Sequence, residues 1–143
     1  MFQLDKFISD HVTHRPMSMF AADIEANNDA LLRAIQGKRA CVIGGAGSIG
    51  SSFIKALLRF APSQLIVVDL NENGLAELTR DLRSSYGLEM PADYRTYTLD
   101  FASPIFERIF REEKGFDIVA NFFVETFHIG ANKPLPIALK FEK

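Results

Sequence analysis

The sequence predicts an α/β fold, a doubly wound parallel sheet of strand order 3-2-1-4 behind an N-terminal helical extension. Three observations carry that expectation. Ala40-Cys41-Val42-Ile43 is an apolar strand that turns through Gly44-Gly45-Ala46-Gly47-Ser48-Ile49-Gly50 into an amphipathic helix. Leu65-Ile66-Val67-Val68 is a continuous apolar run of the kind found in a strand covered on both faces. Strand and helix patterns then alternate through residue 122, and right-handed crossovers turn such an alternation into a parallel sheet.

Taken in order, residues 1–36 form the helical extension, with apolar positions Phe2, Leu4, Phe7 and Ile8, a break at Arg15-Pro16, and a helical stripe Ile24, Leu31, Leu32, Ile35 closed by Gly37. The first strand, Ala40 to Ile43, feeds a helix from Ser48 to about Phe60 whose Ile49, Phe53, Ala56, Leu57 and Phe60 share a face, with a stop near Pro62. After the second strand comes a helix carrying Leu75, Leu78 and Leu82, closed by Gly87. Tyr94 to Leu99 is the third strand. Ser103-Pro104 supplies an N-cap and a first-turn proline to a helix burying Ile105, Phe106, Ile109 and Phe110, and Phe116 to Phe122 is the fourth strand. Residues 37–122 thus form the sheet-bearing unit and 123–143 a divergent tail.

Composition bounds the partners. With 143 residues, 48% hydrophobic and 24% charged, the chain has the make-up of a globular domain able to bury a core. Its net charge of −2, with acids and bases interspersed, offers no basic face, so neither nucleic acid nor an anionic membrane surface is an expected partner. No run of 18 apolar residues occurs, and Met1-Phe2-Gln3-Leu4-Asp5-Lys6 lacks the features of a secretory leader. The expected location is therefore cytoplasmic. Cys41 is the single cysteine and reads as a small buried hydrophobe.

The glycine loop carries the chemistry. Backbone N–H groups at a helix N-terminus bind phosphate only if the chain turns tightly and no Cβ blocks the approach. Gly44, Gly47, Ser48, Ile49 and Gly50 are the expected pyrophosphate contacts of a dinucleotide. Asp69 ends the second strand 19 positions after Gly50, where a carboxylate accepts from the adenosine ribose hydroxyls. Its charge repels a 2′-phosphate, and Leu70-Asn71-Glu72-Asn73 supplies no arginine, so NAD is expected over NADP. The plainer reading of Asp69 is a helix-start carboxylate. Asp100 and Phe101 follow the third strand and are candidates for the adenine edge and face, or else ordinary loop residues.

The stretches Gly37 to Gly50, Leu65 to Asp69, Asn71-Glu72-Asn73-Gly74-Leu75-Ala76-Glu77-Leu78 and Phe116-Asp117-Ile118-Val119-Ala120-Asn121-Phe122 together resemble the extended short-chain dehydrogenase/reductases. Within that family the likeness is to the CapD-like polysaccharide-biosynthesis branch, the nucleotide-sugar 4,6-dehydratases and epimerases. It covers residues 37 to about 122, and Ile43 stands where members usually carry threonine. The resemblance implies a Rossmann-like fold and a bound NAD that takes a hydride from C4 of a UDP-linked sugar. It also implies a tyrosine base with a lysine four residues on. Tyr86 is followed at that spacing by Met90, Tyr94 by Thr98, and Tyr97 by Phe101, so no catalytic residue is assigned.

What the resemblance leads one to expect, then, is the NAD-binding portion alone, inactive by itself, with UDP-sugar a partner only if a further half completes the site. Where small residues facing the nicotinamide and a lysine-histidine segment are expected, Phe123-Val124-Glu125-Thr126-Phe127-His128 stands instead. That departure motivates the expectation of a truncation or frameshift near residue 123, which translation of the downstream DNA in its other frames tests. Two other possibilities are a non-catalytic module, dimerising through residues 1–36 or the fourth strand's edge, and a subunit completed in trans. His11 and His14, with His128 remote, are expected to bind no metal.

Overall fold

The computed structural model of the chain describes residues 11, 12, 14 and 19–123. Two units are distinguished, residues 1–34 and 35–143. The helical stripe is realised as α1 (Ala21–Ala26) and α2 (Asn28–Ile35), the latter ending on the first residue of the second unit; they are divided at Asn27, whose Nδ2 donates to the Asp23 carbonyl at 2.8 Å. The same carbonyl accepts from the Asn27 backbone N–H at 3.1 Å, so Asn27 closes the end of α1 with both its main chain and its side chain. The expected apolar positions Phe2, Leu4, Phe7 and Ile8, the Arg15-Pro16 break, and the tail from Val124 onward with His128 lie outside the described residues.

The second unit runs β1 (Arg39–Ile43), α3 (Ser48–Leu58), β2 (Gln64–Asp69), α4 (Glu72–Ser84), β3 (Asp93–Thr98), α5 (Pro104–Glu112) and β4 (Ile118–Asn121). Its four strands are parallel in the order β3-β2-β1-β4, as the sequence predicts for this Rossmann-like α/β fold. Val42 pairs with Val67 on one side and Ala120 on the other. The chain therefore reverses its direction of winding between β1 and β4, and ligands of open α/β sheets bind at such a reversal.

Successive strand residues point to opposite faces, and both faces are covered. Ala40, Val42, Leu65 and Val67 pack with Ile54, Leu57 and Leu58 of α3 and Leu75, Leu78 and Leu82 of α4. Cys41, Ile43, Ile66 and Val68 pack on the other face with Phe106 of α5. This two-sided covering is why β2 reads as an unbroken apolar run rather than an alternating one. Cys41 is buried as expected, and desolvation pushes its thiol pKa up to about 12.

Two helical faces differ from expectation. Gly50, Ile54, Leu57 and Leu58 are the buried positions of α3, whereas Ile49 is 70% exposed. The helix docks through Gly50, and residues four, seven and eight positions on share that side. On α5 the buried residue is Phe106; Ile109 and Phe110 are half-buried, and Ile105 is 62% exposed. Phe106 and Phe110, one turn apart, have ring centroids 6.1 Å apart, which sets the contact face and leaves Ile105 rotated off it.

The amino ends of the strands are locked by a polar network. Arg39, Gln64 and Asp93 stand side by side in the register of β1, β2 and β3. Arg39 Nε donates to Gln64 Oε1 at 2.9 Å, and its Nη2 donates to Glu113 Oε2 at 2.8 Å. Gln64, itself buried, donates to both Asp93 and Glu113. Arg95 pairs with Asp93 and with Glu113, each at 2.7 Å. Hydrogen bonds from Arg95 hold both carboxyls below their ordinary pKa. Glu113 immediately follows α5, so the network anchors that helix to the sheet.

Candidate functional site

At the opposite, carboxyl end of the strands, β1 stops at Ile43 and the chain turns through Gly44. This residue has φ +74°, and a Cβ there would lie 2.9 Å from the backbone of both Phe122 and Phe123. Glycine is needed here for conformation and for space. Gly50 is needed for space alone, because a Cβ on it would sit 2.2 Å from the Gly44 carbonyl oxygen. The loop is thus pressed against the chain after β4 at Gly44 and against the first turn of α3 at Gly50.

Gly47 is different. A Cβ there would meet nothing nearer than the Gly44 carbonyl at 3.6 Å, so the protein's own packing does not demand glycine. Gly47 is the N-cap of α3, and no side chain caps that helix, whereas Asn71 Oδ1 accepts from Gly74 N at 3.0 Å on α4 and Ser103 Oγ from Phe106 N at 3.3 Å on α5. Ser48 and Ile49, the first two residues of α3, are exposed. The amino end of α3 therefore keeps its partial positive charge and its N–H donors open to a ligand.

Asp69 is brought to the same place by β2. Its Oδ2 accepts from Ala46 N at 2.9 Å and its Oδ1 from Asn71 N at 3.0 Å. The carboxylate is therefore both a brace for the glycine loop and a fixed acceptor, since each oxygen retains a further lone pair for a ligand hydroxyl. The helix-start role considered for it is part of the same geometry, because Asn71 caps α4.

A cavity of about 260 Å³ joins these groups. It is lined by Gly44, Ala46 and Gly47 of the loop, by Asp69 and Asn71 at the end of β2, and by Phe122 and Phe123 after β4. Of the residues expected to hold a nucleotide, Gly44, Gly47 and Asp69 line it, while Gly50 lies behind the loop. Asp100 and Phe101 are not among the lining residues. β3 ends at Thr98, and the exposed Asp100 accepts from Ala102 N at 2.8 Å. Phe101 packs on the α5 side of the sheet and against Phe123, ring centroids 5.2 Å apart. The sequence did not single out Ala46, Asn71, Phe122 or Phe123 as lining. Asn71 carried a signal, as an N-cap type two residues after the strand's terminal acid; an alanine contributing only its N–H carries none. Among the described residues no group of histidine, cysteine and carboxylate side chains could hold a metal ion, and no helix is long and apolar enough to cross a membrane.

Comparison with known proteins places this geometry in a family. A protein of Methanocaldococcus jannaschii described as an uncharacterized membrane protein is 47% identical over 47 residues, which is 33% of this chain and 14% of that protein. Among solved structures, an epimerase from the methanogen Methanothermobacter thermautotrophicus matches with a TM-score of 0.46 and 22% identity over 76% of this chain and 27% of its own. Pen from Bacillus thuringiensis matches with a TM-score of 0.43 and 23% identity over 54% of this chain and 22% of its own. The chain thus spans well under half the length of each of these proteins. The model of one family, described as polysaccharide biosynthesis protein, matches residues 40–142, from the first strand through the glycine loop, Asp69 and β4 and on past residue 122. The chain belongs to that polysaccharide biosynthesis protein family.

Proposed function

We infer that residues 37–122 are the NAD-binding portion of a nucleotide-sugar 4,6-dehydratase or epimerase of polysaccharide biosynthesis. The observation that carries this reading is the meeting, in one cavity, of the uncapped amino end of α3 and the braced carboxylate of Asp69. The first suits a pyrophosphate, and the second suits vicinal ribose hydroxyls. A 2′-phosphate brought to Asp69 meets a like charge, so NAD is favoured over NADP. Membership of the polysaccharide biosynthesis family supports a nucleotide-linked sugar as the substrate of the complete site. These 143 residues contain no tyrosine with a lysine four positions on, and the reading assigns them binding without turnover.

Thermal unfolding with and without ligand tests it. NAD should raise the melting temperature at concentrations where NADP does not, since a ligand that binds only the folded state stabilises it by mass action. A UDP-sugar should yield no keto product. No stabilisation by any adenine nucleotide, or equal stabilisation by NAD and NADP, would overturn the assignment.

A further inference from the structure

At the crevice between β1 and β4, which a dinucleotide has to cross at this strand order, the two residues that follow β4 line the cavity and are held in place by the chain itself. Beyond β4, Phe122 N donates to the Ile43 carbonyl at 2.8 Å, and Phe123 N donates to Asn121 Oδ1 at 2.9 Å. This seats the Phe122–Phe123 peptide directly on Gly44, within the space a Cβ would need. The two rings then go opposite ways. Phe122 packs on Phe53 of α3 with centroids 5.1 Å apart, on one face of the sheet, and Phe123 on Phe101, on the other. The pair straddles the end of β4 and is held from both sides.

We propose that the site takes the adenosine diphosphate end of a nucleotide and goes no further, the Phe122–Phe123 pair walling off the far half of a dinucleotide. This rests on the nucleotide reading above and narrows it. The fit divides at the wall. Asp69 and the open end of α3 suit a ribose and a diphosphate, whereas the β4 side offers two anchored rings where a second nucleoside has to pass. A second nucleoside that makes no contact adds no affinity, so ADP should bind as well as NAD.

Isothermal titration of the 143-residue protein with ADP and with NAD, in one buffer, tests the wall. The expected result is dissociation constants within about threefold of each other. Phe123→Ala should shift the ratio toward NAD by about fivefold or more, and Phe123→Val in the same direction by less, both checked for native melting by circular dichroism. NAD binding more than about threefold tighter than ADP in the unaltered protein overturns the wall while leaving the nucleotide site standing. A ratio unmoved in both variants also overturns it. Binding of neither ligand overturns the wall together with the function proposed above.

Discussion

Asp69 Oδ2 accepts a hydrogen bond of 2.9 Å from the backbone N–H of Ala46, 23 positions earlier in the chain. The end of β2 and the glycine loop are thereby one mechanical unit, and any group held by the carboxylate is positioned against the amino end of α3. Removing the side chain leaves the N–H groups of Ala46 and Asn71 without their acceptor. Asp69→Ala should cost about 1–3 kcal/mol of stability, measured by urea unfolding, and abolish nucleotide-dependent stabilisation. A variant as stable as the native protein would mean that the brace is dispensable.

Two glycines in the loop separate packing from binding. Gly50→Ala puts a methyl 2.2 Å from the Gly44 carbonyl oxygen, and α3 has to move. Its stability should fall by about 3 kcal/mol, at the upper end of overpacking effects. Gly47→Ala meets nothing closer than 3.6 Å and should cost only about 1 kcal/mol, the loss of a glycine N-cap, while its methyl enters the space a phosphate needs and weakens nucleotide binding. Equal effects of the two on unfolding would show that Gly47 is held by packing after all.

Acid should destabilise the sheet-bearing unit through Asp93 and Glu113. Both carboxyls are held below their ordinary pKa, chiefly by hydrogen bonds from Arg95, so as pH falls the unfolded chain takes up protons before the folded one. The stabilisation is complete above the unfolded carboxyl range near pH 4 and is lost as pH falls through the lower folded values. Melting temperature followed from pH 7 to pH 3 should drop at the acid end. Glu113→Gln should flatten that drop, and an unchanged pH profile in this variant would remove Glu113 from the explanation.

Cys41 should behave as an inert core residue. Burial pushes its thiol pKa up to about 12, so almost no thiolate exists at neutral pH, and the side chain is fully covered. A thiol reagent such as 5,5′-dithiobis(2-nitrobenzoic acid) should label it only at the rate of unfolding, with immediate labelling in denaturant. Rapid labelling of the folded protein would show that the face covered by α5 opens readily.

The strand order, the parallel sheet and the convergence of Gly44, Gly47 and Asp69 were legible in the sequence because each depends on local pattern. An apolar run, a glycine turn and a terminal acid are written in consecutive residues, and the crossover rule does the rest. Local pattern left α3 undecided. Its apolar stripe admitted Ile49 on the buried side, and only docking through Gly50 turned Ile54 inward and left Ile49 in solvent. Asp100 and Phe101 were singled out by their position after β3; neither lines the cavity, and Phe101 reaches it only through its contact with Phe123.

By itself the sequence determined that this chain winds a parallel sheet around a glycine loop and sets a carboxylate beside it, since glycine spacing and hydrophobic period act within a few residues. Only the tertiary structure decided what the loop touches. The Ala46 N–H on Asp69, the Phe122–Phe123 peptide on Gly44, and the rings clasped to opposite faces of the sheet join residues 22 to about 80 positions apart, at contacts that no local pattern encodes. Those contacts shape the cavity, because hydrogen-bond geometry and van der Waals exclusion act in space rather than along the chain.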